Sequence, residues 1–190
     1  MKSSSRSDYE LIKKVTLKDL NAFEELVQRY KRMVINVCFR LTGNRENAED
    51  VAQEVFFRVY QKARTFRGKS KLSTWIYRIA VNRSLNHNRK QGGLIQKRLT
   101  SADSETLNEV PAPHHNSPDT IFANKEDRQL INKALDSLPE KQRTAFILHH
   151  WEGLSYQEMA EILKSSLSAV ESRIHRAKNS LKKVLLAELK

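Results

Sequence analysis

Cysteine occurs once in the 190-residue chain, at Cys38, glycine five times and proline four times. A single thiol excludes an internal disulfide and any cysteine-based zinc site. Nowhere do 18 apolar residues run together, which excludes a membrane helix of the usual kind. The opening MKSSSRSDYELIKK carries charge but no apolar stretch of signal-peptide length. These absences lead us to expect a soluble cytoplasmic protein without membrane insertion. At 39% hydrophobic residues it should be globular, as one ordinary domain or two small ones.

The most informative absence is of acid. Between Glu54 and Asp103 there is no Asp or Glu. The same segment holds twelve cations: Arg58, Lys62, Arg64, Arg67, Lys69, Lys71, Arg78, Arg83, Arg89, Lys90, Lys97 and Arg98. The whole chain has 34 basic and 22 acidic residues, so the two signs balance everywhere else. One quarter of the protein thus carries the entire excess of +12. Such localisation is the electrostatic footprint of a nucleic-acid binder, not diffuse solubilising charge. Within it FRGKSKLSTWIYRIAVN, residues 66–82, sets Phe66, Trp75 and Tyr77 among the cations.

The apolar pattern is helical throughout. From Leu20, apolar residues recur as Phe23, Leu26, Val27, Tyr30, Val34, Val37, Cys38 and Leu41, and Gly43 suits the helix end. Cys38 lies in this stripe and reads as core. A second helix should start after Asn44, a good N-cap, and run to about Arg64 over a core face of Ala48, Val51, Ala52, Val55 and Val59. A third should begin near Ser73 and end near Asn88. Residues 91–120, with Gly, Ser and three Pro, break the pattern and read as a linker. His114 and His115 fall there without partners at ligand spacing, so no metal site is expected. Helices resume after Ile121. The fold class is therefore all-α, with domains at 1–90 and 121–190 joined by a flexible linker.

The second half contains LSYQEMAEILKSSLSAVESRIHRAKNSLKK. Ser155 and Glu158 have the spacing of a capping box, as do Ser168 and Glu171, with the turn KSSL between two short helical patterns. Ala160 is small where the helices cross, and Leu167, Val170 and Ile174 should be the buried contacts. This is the layout of a helix-turn-helix, whose second helix enters the major groove. Val170, Ile174, Ala177 and Leu181 project to one side, and Ser172, His175, Arg176 and Asn179 to the other. Arg suits guanine and Asn adenine. Lys164 occupies the turn position where glycine usually supplies a positive φ, at a cost of about 1 kcal/mol.

Three stretches in order, AFEELVQRYKRMVINVCFRLTGNRENAEDVAQEVFFRVYQKA, FRGKSKLSTWIYRIAVN and LPEKQRTAFILHHWEGLSYQEMAEIL, closely resemble bacterial sigma factors of the extracytoplasmic-function type. The resemblance covers about residues 10–90 and 125–187. It implies a promoter-specificity subunit that binds core RNA polymerase, melts the −10 element with its first domain and reads duplex −35 DNA with its second. DVAQE matches the family's clamp-binding motif, which implies contact through Asp50, Gln53, Glu54 and Phe57. Gln61 shares their face. By the same resemblance the loop at 67–73 and Asn82 hold a flipped base of the melted non-template strand, with Trp75 at the edge of the melted region. The −10 set is Arg67, Lys69, Lys71, Ser73, Trp75, Arg78, Asn82 and Arg83. Phe66 and Tyr77 either join it or pack beneath the loop. The −35 set is Ser168, Glu171, Ser172, Arg173, His175, Arg176, Lys178 and Asn179. An anti-sigma factor is a further implied partner, and no cofactor is implied.

One departure bears on specificity. The recognition segment reads SAVESRIHRAK where the family commonly has Gly-Thr-Val followed by Lys or Arg. Glu171 is either the capping partner of Ser168 or an acceptor for cytosine N4. Two rival functions remain open on sequence. A one-component regulator would need a ligand cavity and would bury or pair the polar face of the second helix. An enzyme acting on nucleic acid is disfavoured, because residues 55–102 offer no carboxylate for Mg²⁺ and no Cys/His cluster for zinc.

Overall fold

The structure, a computed structural model, describes residues 6–90 and 125–188. Among these residues there are eight α-helices and no strand. The chain divides into two compact units, Met1–Gly92 and Gly93–Lys190. The linker expected at 91–120, including His114 and His115, lies outside the described residues.

The first unit contains α1 (Asp8–Thr16), α2 (Leu20–Thr42), α3 (Arg45–Lys62), a single 3₁₀ turn (Ala63–Thr65) and α4 (Leu72–Lys90). The long α2 packs against the other three helices. Leu26, Val34, Val37 and Cys38 of α2 are fully buried with Val51, Val55 and Val59 of α3 and Ile76 and Ala80 of α4. Helices α2 and α3 start where a side chain satisfies one of their free N–H groups. Asp19 accepts from the Ala22 N–H at 3.0 Å, and Asn44 from the Asn47 N–H at 2.9 Å. Gly43 ends α2 at φ 70°, a conformation that strains any side chain. The α2–α3 corner thus forms as expected, although α3 gives way to the 3₁₀ turn before Arg64.

Helix α1 was absent from our reading of the apolar spacing. Its signal was present: Ser7 and Glu10 form a reciprocal capping box, followed by buried Leu11, Ile12 and Val15. Nine residues give too few turns for periodicity to stand out. Ion pairs fix α1 to α2. Arg29 bonds Asp8 at 2.8 Å and Glu25 at 2.9 Å, and the Tyr30 hydroxyl donates to Asp8 at 2.5 Å. Burial, and then this hydrogen bond to a carboxylate, pushes the Tyr30 hydroxyl well above its ordinary range.

The second unit contains α5 (Lys125–Asp136), α6 (Glu140–His150), α7 (Tyr156–Leu163) and α8 (Leu167–Glu188). Val170, Ile174, Ala177 and Leu181 of α8 are all buried, and α8 contacts each of the other three helices. Ala134, Leu135 and Leu138 of the α5 end join Ala177 and Leu181 in one cluster, flanked by Phe146 and Trp151. Pro139 precedes α6, where its lack of an N–H costs nothing. The Ser155–Glu158 capping box starts α7.

Candidate nucleic-acid and protein interfaces

On α3 the buried and exposed positions separate cleanly. Ala48, Val51, Ala52, Val55 and Val59 face the core, while Asp50, Gln53, Glu54, Phe57 and Gln61 are exposed. Phe57 keeps 61% of its surface in contact with solvent. A phenylalanine that open stands out beside neighbours that are carboxylates, amides and cations. Glu54, however, is not wholly free. It forms an ion pair with Arg83 of α4, so one residue expected to meet protein holds one expected to meet DNA. Most of the Arg83 side chain is covered, and its Nε is buried without a hydrogen-bond partner.

The loop between the 3₁₀ turn and α4 presents cations. Arg67, Lys69 and Lys71 are exposed, and Gly68 has φ 68°, which lets the chain turn there without strain. Phe66 lies against Trp75, with ring centroids 5.6 Å apart at 58°. Both rings are half-buried, so the pair forms an aromatic step at the base of the cationic loop. Tyr77 is buried at 7% exposure and belongs to the core. Further along α4, Ser73, Arg78 and Arg83 are half-buried and Asn82 is exposed. Helical spacing puts Trp75, Arg78 and Asn82 on adjacent turns of one side of α4.

In the second unit the turn between α7 and α8 is closed by Lys164 at φ 49°, ψ 52°. The left-handed conformation expected there is present with a lysine in it. Two details at the start of α8 correct the sequence reading. Ser166, not Ser168, caps the helix: its hydroxyl accepts from the Ala169 N–H at 3.2 Å, and the Ser168 hydroxyl lies 3.2 Å from the Ser166 hydroxyl. The Ser168–Glu171 capping box does not form, because both residues are already within the helix. Leu167, the first residue of α8, is 48% exposed and is not a buried contact.

Beyond this start, Ser168, Ser172, His175, Arg176 and Asn179 are exposed on the face opposite the buried stripe, and Glu171 is exposed at the edge of that face. Lys178 is exposed on its flank, and Arg173 is half-buried on the other. Glu171, Ser172, His175 and Arg176 line one shallow concavity. His175 and Asn179 join through Nε2 and Nδ2 at 2.9 Å. With the amide donating, Nε2 accepts and the imidazole proton sits on Nδ1. Sequence reasoning missed Lys182 and Lys183, which continue the exposed face by one more turn. Extending the 3.6-residue period past Asn179 would have found them.

Among the described residues no group of His, Cys, Asp and Glu could hold a metal ion, and no helix is long and apolar enough to cross a membrane.

Comparison with known proteins places both units. Residues 26–93 match sigma-70 region 2, and residues 128–181 match sigma-70 region 4. The RNA polymerase sigma-H factor of Pseudomonas aeruginosa is 33% identical over 184 residues, covering 96% of this chain and 95% of that protein. The ECF RNA polymerase sigma factor SigW of Bacillus subtilis is 33% identical over 92% of this chain and 94% of its own. The ECF RNA polymerase sigma-E factor of Escherichia coli is 33% identical over 94% of each. Among solved structures, CnrH in complex with the cytosolic domain of CnrY shares the fold at a TM-score of 0.69 and 21% identity, over 96% of this chain and 99% of that one. The sigma factor RpoE of Bartonella quintana, in complex with the anti-sigma factor NepR, matches at 0.62 and 26% identity, over 86% and 96%.

Proposed function

The chain belongs to the extracytoplasmic-function sigma factors, and we propose that it binds core RNA polymerase and directs it to promoters through −10 and −35 contacts. The observation that carries this reading is the pairing of two surfaces on the first unit. Phe57 stands 61% exposed on the polar face of α3, while the acid-free loop and α4 present cations with an aromatic step. An exposed aromatic ringed by polar side chains is a protein anchor. Cations beside a half-buried aromatic pair suit a single strand whose bases have left the duplex.

In this reading Asp50, Gln53, Glu54 and Phe57 meet the polymerase. Arg67, Lys69 and Lys71 hold the phosphates of the non-template strand, while Ser73, Trp75, Arg78 and Asn82 act at the melted bases and Arg83, paired with Glu54, holds α4 against α3 behind them. Trp75 keeps one side of its ring against Phe66, which fixes its angle before DNA arrives. The exposed face of α8 reads the −35 duplex: Ser172, His175, Arg176 and Asn179 at base edges, Lys178, Lys182 and Lys183 at phosphates. We assign polymerase and −10 contact to a domain at 1–90 and −35 contact to a domain at 121–190, with 91–120 as the linker between them. An anti-sigma factor would mask the same two faces. The factor acts in the cytoplasm, with polymerase, and catalyses nothing itself.

The exposed polar face of α3 favours this over a one-component regulator, which would bury that face or pair it. The test is run-off transcription with purified core polymerase, with start sites mapped. Stoichiometric core binding and start sites that depend on the added chain are expected. Duplex binding without core binding would establish the regulator instead.

A further inference from the structure

We infer that Glu171 is a specificity determinant that selects cytosine at one position of the −35 element; this rests on the reading of α8 as the −35 helix. No capping role explains Glu171 structurally, because Ser166 caps α8 and the position three residues on from it is Ala169. Among the described residues no hydrogen bond or ion pair engages its carboxylate, although Arg176 lines the same concavity. An unpaired carboxylate on a face that meets polyanionic DNA is unfavourable to binding in general. That cost is offset where a base edge donates to it.

Two base edges in the major groove carry an amino donor, cytosine N4 and adenine N6. They differ in what lies beside the donor. Adenine N6 adjoins N7, a lone pair that a second carboxylate oxygen would face. An amide side chain satisfies both atoms of adenine, and a carboxylate does not. Cytosine N4 adjoins C5–H, which offers no lone pair and tolerates an anion. The acceptor-only chemistry of Glu171 therefore distinguishes cytosine from the other three bases. Its place at the start of α8 fits, since the N-terminal residues of a recognition helix contact base edges. Arg176, five residues on, is free to take guanine at a separate position.

The charge makes the prediction two-sided. Phosphates repel Glu171, so removing its charge strengthens binding to DNA of arbitrary sequence while erasing one base preference. A simple loss of structure would weaken both.

The experiment uses holoenzyme, the full chain with core polymerase, selecting from promoters randomised across the −35 region with a fixed −10 element. The native chain should enrich one cytosine, by about 5- to 10-fold for one good contact. E171Q should replace that cytosine with adenine at the same position, and E171A should show no preference there while binding randomised duplex more tightly than the native chain. Preferences at the remaining positions should persist in both variants. Identical profiles for the native chain and E171Q would overturn the assignment while leaving α8 as the −35 helix. A native profile without any preference across the region would overturn that reading as well.

Discussion

Replacing Phe57 with alanine tests the protein interface directly, and the structure sets the size of the effect. Phe57 is 61% exposed. A phenylalanine offers roughly 200 Å², so about 120 Å² of apolar surface faces water in the free chain. Covering it against the polymerase contributes about 3 kcal/mol at ~25 cal/mol per Å². Alanine retains part of that surface, so the truncation should cost about 2 kcal/mol of binding, or roughly 30-fold in affinity. Folding should hardly change, by less than about 1 kcal/mol, because Val55 and Val59 on the opposite side fill the core without it. Competition of the variant against labelled native chain for core polymerase measures the first quantity, and thermal unfolding the second. Unchanged affinity with a lowered melting temperature would refute the argument, making Phe57 part of the unit's own packing.

The remaining predictions concern how the surfaces are held. Lys164→Gly should stabilise the second unit by about 1 kcal/mol, because glycine has no Cβ to strain at φ 49°; an unmoved denaturation midpoint would count against strain at that turn. Tyr30→Phe should cost about 2 kcal/mol at neutral pH, the loss of a hydrogen bond to a charged partner. The folded pKa of Tyr30 lies above its ordinary value of 10.0, so the native state keeps a proton that the unfolded chain gives up. Stability from Tyr30 is therefore complete below about pH 10 and declines as pH rises past it, and the Phe variant should lack that decline. Urea midpoints that fall equally in both chains from about pH 8 to about pH 11 would disprove the linkage. Finally, Arg83→Ala should lower the melting temperature of the first unit, since Arg83 is mostly covered and pairs with Glu54, whereas Arg67→Ala should not; equal melting of the two variants would show the pair to be idle.

The helical stripes were legible because each is long enough for the period to repeat, as in α2, whose buried residues recur through 23 positions. Gly43 and Asn44 were equally legible, since each residue type meets a local backbone demand that requires no tertiary knowledge. What the sequence hid was pairwise. The capping box before α1 has the same spacing as the one before α7, but the apolar run behind it is short. At α8 three serines stand at 165, 166 and 168, and the spacing to Glu171 favoured the wrong one. The choice depends on where Lys164 turns the chain, since that fixes Ser166 as the first residue able to offer its hydroxyl to a free N–H. The division between Phe66 with Trp75 and the buried Tyr77 was also beyond periodicity, because it depends on the path of a loop.

The cations of the acid-free segment divide by what else they do, and that division has consequences for how DNA is held. Arg83 is committed to Glu54, Arg58 bonds Gln61 at 3.3 Å, and Arg64 reaches the Thr16 carbonyl at 3.5 Å. These side chains join helices or stiffen α3, and their charge acts on DNA mostly at a distance. Arg67 and Lys69 stand exposed on the loop beside the Phe66–Trp75 step, where a side chain can follow a phosphate. Under the proposed function a long-range field would draw the strand in, screened beyond about 10 Å at moderate salt, and contact would fall to the few cations next to the rings. In that function the segment that gives the sequence its charge imbalance would serve two purposes, and burial separates them: the half-buried Arg83 orders the helices that carry Trp75 and Asn82, and the exposed loop is left to meet a nucleic-acid backbone. Glu54 connects the two faces of the unit, and under the proposed function a polymerase group that engaged its carboxylate would compete with Arg83 for it.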